Sequence, residues 1–185
     1  MAAVLQRLKA AVARGLQPVG EGRTQACKTF PNGVLYEGEL LQDRRDGRGT
    51  ARWPNADLYE GDWKADLQHG FGHNKWKPLS EYFGQYRAGL KHGIGEYVWE
   101  DGSRYIGEWR EDRMAGVGRY EWPDGRIHLG QWSAGVLEGW GELKSSDKRF
   151  VGRWHTGRKQ GLGTTYHANG RISTDRWAQG RPVCD

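Results

Sequence analysis

Polar and aromatic residues alternate along this chain in short runs, and the runs recur at a fixed step. In Tyr59-Glu60-Gly61-Asp62-Trp63 one side would carry a ring, a glycine and a ring, the other two carboxylates, which is the period-two signature of a strand. The pattern returns 23 residues later as Tyr82-Phe83-Gly84-Gln85-Tyr86, and after 23 more as Tyr105-Ile106-Gly107-Glu108-Trp109. Further copies start at Tyr36 and His128; Phe150 follows after 22 residues, and Ser173 after 23, so one residue is missing between Gly141 and Phe150. Each step holds a second alternating run, in which a Gly-x-Gly precedes an aromatic four residues on, as Gly70 and Gly72 precede Trp76. Trp53, Trp99 and Trp122 stand at the same position. Two such runs per step predict a β-hairpin. A fixed period of this size predicts tandem hairpins, none able to bury its apolar face except against its neighbours.

Punctuation supports the division. Asn32-Gly33, Asp101-Gly102, Asp124-Gly125 and Asn169-Gly170 place residues tolerant of positive φ where one hairpin hands over to the next. Glycine between two rings on one face leaves room for a ring from a neighbouring strand to cross the backbone. His69 and His92 share a repeat position and are assigned to a turn, with no ligand or base role.

This pattern resembles the MORN repeat (membrane occupation and recognition nexus), whose motif runs roughly Tyr-x-Gly-x-Trp-x-x-Gly-x-x-x-Gly-x-Gly with a later Asp-Gly. The resemblance covers residues 20–180 and is best in the units from Tyr59, Tyr82 and Tyr105. It departs at Leu40, at Lys77-Pro78-Leu79-Ser80-Glu81 in place of an Asp-Gly turn, and at Ser145, His167, Ser173 and Asp175 in the later units. Together with the periodicity it implies an all-β, single-layer antiparallel array of β-hairpin repeats, a solenoid or trough, with a short N-terminal amphipathic helix. The expected divisions are a helix and linker over 1–19 and an array over 20–180, followed by a tail over 181–185. Within the array stand a half-unit 20–35, units from 36, 59, 82, 105, 128 and 150, and a terminal half-unit 173–180.

Composition changes this picture in one respect. With 36% hydrophobic residues, 29 glycines and 10 tryptophans, large rings must supply the burial that Val and Leu provide elsewhere. A one-layer sheet would leave its aromatic face uncovered, as a groove for a helix or an extended peptide. The groove residues expected are Trp63, Tyr86, Trp109 and Trp132 from first strands, with Trp76, Trp99 and Trp122 from second strands. Packing within the sheet competes for at least half of these rings.

Before the array, Val4, Leu5, Leu8, Ala11 and Val12 recur at helical spacing, flanked by Arg7, Lys9 and Arg14 and stopped by Gly15 and Pro18. Val4, Leu5, Leu8 and Val12 form its contact stripe. It is assigned as a cap over the first hairpin, with docking on a partner or organelle targeting as alternatives.

Net charge is +5, of which residues 1–23 contribute +3, so the repeats are near neutral. That argues against nucleic acid as partner, since the aromatics sit where the sheet itself needs them. Cys27 and Cys184 stand far apart, without a CxxC or Cys/His cluster, so neither a disulfide nor a metal site is expected. No apolar run approaches the roughly 20 residues of a spanning helix. No catalytic constellation or cofactor motif emerges, and no enzymatic activity is expected.

What the resemblance implies is a scaffold or adaptor binding protein partners in a multi-subunit assembly, in a ciliary or flagellar axoneme or another cytoskeletal complex. Alternatives are a peripheral module for acidic phospholipid, drawing on Arg7, Lys9, Arg14, Lys64, Arg87, Lys91, Arg110 and Arg113, and an accessory subunit of a mitochondrial complex. Edge strands leave a homodimer open.

Overall fold

The computed structural model describes residues 22–183; the leader with Val4, Leu5, Leu8 and Val12, and Cys184, lie outside them. The described residues form strands and turns with no helix, in two compact units that divide between Glu100 and Asp101. The first holds β1 (Thr24–Thr29), β2 (Leu35–Leu41), β3 (Arg44–Arg52), β4 (Leu58–Lys64), β5 (Leu67–Trp76), β6 (Ser80–Arg87) and β7 (Leu90–Val98). The second holds β8 (Arg104–Arg110), β9 (Arg113–Glu121), β10 (Ile127–Ser133), β11 (Val136–Lys144), β12 (Lys148–His155), β13 (Arg158–His167), β14 (Ile172–Ala178) and β15 (Arg181–Pro182). Within each unit every strand pairs antiparallel with its neighbours in the chain, so each unit is a single layer.

Register follows the glycines. Gly38, Gly49, Gly61, Gly72, Gly84 and Gly95 stand opposite one another across the first unit. Gly107, Gly118, Gly130, Gly141, Gly152 and Gly163 do so across the second. A Cβ on Gly61 would lie 2.5 Å from the Gly72 Cα and 2.7 Å from the Tyr59 hydroxyl, so the row is glycine because rings lie directly over it.

Each hairpin closes through a two-residue turn with positive φ at both positions, as in Ala65 (48°) and Asp66 (69°) or Ala88 (50°) and Gly89 (84°). That geometry matches the right-handed strand twist. The second turn residue also donates its N–H to the hairpin before it: Asp66 to the Arg45 carbonyl (2.9 Å), Gly89 to Gln68 (2.8 Å) and Gly135 to Met114 (2.9 Å). Successive repeats are thereby stitched through backbone.

Beyond the turn each second strand carries a bulge at the first glycine of Gly-x-Gly, where Gly70 has φ of 56° and Gly93 of 63°. The residue before the first-strand aromatic caps the amide released there. Asp62 accepts from Phe71 N–H (2.8 Å), Gln85 from Ile94 (2.8 Å) and Gln131 from Trp140 (2.7 Å). Hand-over loops are closed by Asx contacts, such as the Asp124 carboxylate accepting from Arg126 N–H (3.0 Å). The 22-residue step falls in one of them: Ser145 N–H reaches Lys148 O (2.8 Å), where Trp122 N–H spans one residue more to Arg126 O (2.9 Å). His69 and His92 sit in β5 and β7, not in a turn. The His69 ring instead receives the N–H of Ala88 in the next hairpin's turn (3.5 Å), the place that the Asp46 carboxylate fills for Ala65 (3.1 Å).

Candidate functional site, the aromatic face

One face of each layer is built on the first residue of the repeat. Tyr36, Tyr59, Tyr82 and Tyr105 are wholly buried, each ring laid over the two glycines beside it. Their hydroxyls donate to the carbonyl three residues on: Tyr36 to Glu39 (2.8 Å), Tyr59 to Asp62 (2.9 Å), Tyr82 to Gln85 (3.0 Å) and Tyr105 to Glu108 (3.1 Å). Loss of hydration on burial raises the pKa of Tyr36, Tyr59 and Tyr105, so these hydroxyls stay protonated donors. His128 and Phe150 occupy the same place in later repeats and lack that bond. Neither His128 ring nitrogen has a hydrogen-bond partner, and burial lowers its pKa to about 4.

The second aromatic of the first strand wedges edge-on between two such rings. Trp63 meets Tyr36 (5.7 Å, 89°) and Tyr59 (4.9 Å, 82°), and its indole N–H donates to Gly49 O (3.0 Å). Tyr86 meets Tyr59 (5.4 Å) and Tyr82 (5.1 Å), Trp109 meets Tyr105 (5.3 Å), and Trp132 meets Tyr105 (5.5 Å) and His128 (5.7 Å). The result in each unit is a herringbone of edge-to-face contacts, the favoured arrangement for aromatic quadrupoles. It forms the core without a second layer. Trp63, Tyr86, Trp109 and Trp132 consequently retain only 4%, 5%, 5% and 7% of their surface.

The second-strand rings are placed differently. Trp76, Trp99 and Trp122 are half-buried, at the rim of the aromatic face. In the first unit Trp76 stacks on Tyr97 (5.7 Å, 22°), and Tyr97 lies against Trp99 (4.5 Å). Lys91 places its ammonium 5.6 Å from the Tyr97 ring and 5.7 Å from Trp76. Trp76 also borders a cleft of about 420 Å³ shared with Leu58, Lys75, Leu79 and Glu81. In the second unit Trp122 packs on Tyr120 (4.7 Å) under the Arg126 guanidinium (5.1 Å). Tyr97 and Tyr120 complete these clusters and were not among the candidates from sequence; Lys91, named from sequence only for attraction to acidic phospholipid, lies over the rings of the first cluster. The signal that could have found the tyrosines is their own 23-residue spacing.

Among the described residues no group of three or more His, Cys, Asp or Glu is placed to hold a metal ion, and no helix is long and apolar enough to cross a membrane.

Fold and face together define a β-hairpin solenoid with an aromatic spine and a half-exposed aromatic rim. The family model for the MORN repeat matches residues 36–57, 59–76, 82–104, 105–125 and 150–170. The chain belongs to the MORN-repeat family. The repeat from His128 is outside the matched segments, which agrees with the loss of its tyrosine. A search of curated protein sequences returns no match. Among solved structures the chain is similar to the SAS-4 (dCPAP) TCP domain of Drosophila melanogaster in complex with a proline-rich motif of Ana2 (dSTIL). They share 13% identity over 89% of this chain and 95% of that one, with a TM-score of 0.50. The TCP10c domain of Drosophila melanogaster Sas-4 follows at 12% identity, TM-score 0.40, over 84% and 100%. The TCP10 domain of Danio rerio CPAP follows at 17% identity, TM-score 0.28, over 82% and 83%.

Proposed function

We propose that this protein is a non-catalytic scaffold that holds an extended segment of a partner protein against the aromatic rim, within an axonemal or other cytoskeletal assembly. One observation carries the reading. The Tyr-Trp spine satisfies each layer's need for a core, yet Trp76, Tyr97 and Trp99 stay half-exposed as a contiguous cluster with no second layer among the described residues to cover them. Stacked indoles and a phenol suit proline and aliphatic side chains of an extended chain, whose fixed backbone costs little entropy to dock. The proline-rich ligand of the SAS-4 TCP domain supports that mode for a sheet of this kind.

The test uses the rim, because substituting Trp109 or Trp132 would remove the core. A tagged chain carrying Trp76→Ala and Trp99→Ala is expected to melt close to the wild type and to lose its partners in pull-downs from ciliated cells. Retention of every partner by a folded double variant would sink the proposal, and a tagged protein found only in mitochondria would sink the cytoskeletal placement.

A further inference from the structure

On the reverse face of the second unit the middle residue of each Gly-x-Gly forms a second, unspent row. Val117, Trp140 and Leu162 stand on β9, β11 and β13, and 44%, 53% and 62% of their surface is exposed. Between them on the intervening strands lie Gln131, opposite Val117, and Arg153, opposite Trp140; Arg176 lies opposite Leu162. The row therefore crosses the strands, alternating apolar and polar in its second half as Trp140, Arg153, Leu162, Arg176.

Two features mark this row as more than solvated surface. Arg153 occupies the position where Asp62, Gln85, Glu108 and Gln131 cap the bulge amide, a bond a guanidinium cannot accept. It projects over the Trp140 ring instead, at 5.6 Å. No carboxylate among the described residues pairs with Arg153 or Arg176, whereas Arg149 on the same strand as Arg153 is engaged by Glu142 (3.2 Å). Two cations without a carboxylate partner thus alternate with two exposed apolar side chains.

Spacing narrows the ligand. Strands about 4.8 Å apart put Trp140 and Leu162, two strands apart, at a pitch of roughly 9.6 Å. A polyproline II chain advances about 9.3 Å per three residues, so every third side chain meets the next apolar position. We infer that this face of the second unit binds an acidic segment in polyproline II conformation, with apolar residues three apart on Trp140 and Leu162 and carboxylates on Arg153 between them and on Arg176 beyond Leu162. The inference does not depend on the aromatic rim.

The probe is a fluorescein-labelled peptide of four Leu-Pro-Glu triplets, titrated with the full chain and followed by anisotropy. Saturable binding is expected, weakened at least about tenfold by Trp140→Ala, a change at an exposed position that should leave the melting curve in place. Should that variant fold poorly, the Arg153→Glu, Arg176→Glu double variant serves: it is expected to reject the glutamate peptide and accept its Leu-Pro-Lys counterpart. The Trp76→Ala, Trp99→Ala variant is expected to bind as tightly as the wild type. Equal binding of a scrambled peptide, indifference to both reverse-face variants, or loss of binding in the rim variant would each overturn the inference. So would a concentration-dependent dimer abolished by Trp140→Ala, which would make a second copy the occupant, or phosphatidylserine-vesicle binding lost on the same substitution without peptide binding, which would make it a membrane.

Discussion

A tyrosine ring and two glycines share one volume in this repeat, and the trade explains both residues. The ring covers the backbone because no Cβ stands in the way, and its hydroxyl then reaches a carbonyl on its own strand. His128 breaks the arrangement by keeping the ring and losing the bond. Its pKa is lowered to about 4 by burial, so between the ordinary histidine value and that one the unfolded chain takes up a proton that the folded chain refuses. Stability therefore falls as pH drops from 6.5 toward 4, by about 2 kcal/mol at pH 5. His128→Tyr should stabilise the protein by about 1 kcal/mol at pH 7 through the restored hydroxyl bond, and by more at pH 5. Thermal melts at the two pH values check this; a gap that does not widen on acidification would show that His128 is not the proton acceptor.

Among the elements, the second strand depends on its bulge. Gly70 adopts a left-handed conformation where β5 carries two residues more than β4, and the Asp62 carboxylate receives the Phe71 amide left outside that ladder. Asp62→Ala should cost about 1 to 2 kcal/mol in urea denaturation, because a half-buried donor loses its only acceptor. Asp62→Asn should recover most of that loss, since Gln85 and Gln131 perform the same task without a charge. An equal penalty for both substitutions would assign the effect to the Arg48 ion pair at 3.6 Å instead. This element was only partly legible beforehand. Asp-Gly and Asn-Gly announced the hand-over loops, but Gln42-Asp43, Ala65-Asp66 and Glu111-Asp112 turn with positive φ at both residues and carry no glycine. At Ala65-Asp66 the backbone bond from the second turn residue to the Arg45 carbonyl of the preceding hairpin holds the turn there, and that bond exists only between repeats.

Across the molecule, the extensive contacts within each unit join consecutive strands, so damage should stay local. Gly72→Ala drives a Cβ into the Tyr59 ring, 2.5 Å from its Cζ. Hydrogen exchange is expected to rise through β4, β5 and β6 while β11, β12 and β13 keep their protection. A uniform rise would mean that the whole chain unfolds as one cooperative body rather than as stacked repeats.

The candidate site was legible to a similar, partial degree. Period and glycine spacing sufficed to place all seven aromatics on one kind of face, since alternation along a strand decides the side on which a residue lies. They could not distinguish Trp63, wedged between Tyr36 and Tyr59, from Trp76 at the rim, because both are tryptophans two positions from a small or polar neighbour. That difference arises from which rings of adjacent hairpins reach them. What the amino-acid order alone determined is the hairpin repeat, its step and its two-sidedness, all properties of a single strand and its turns. What only the tertiary structure decided is which rings are consumed as core and which remain half-exposed at the rim, because burial is set by neighbours contributed from other repeats.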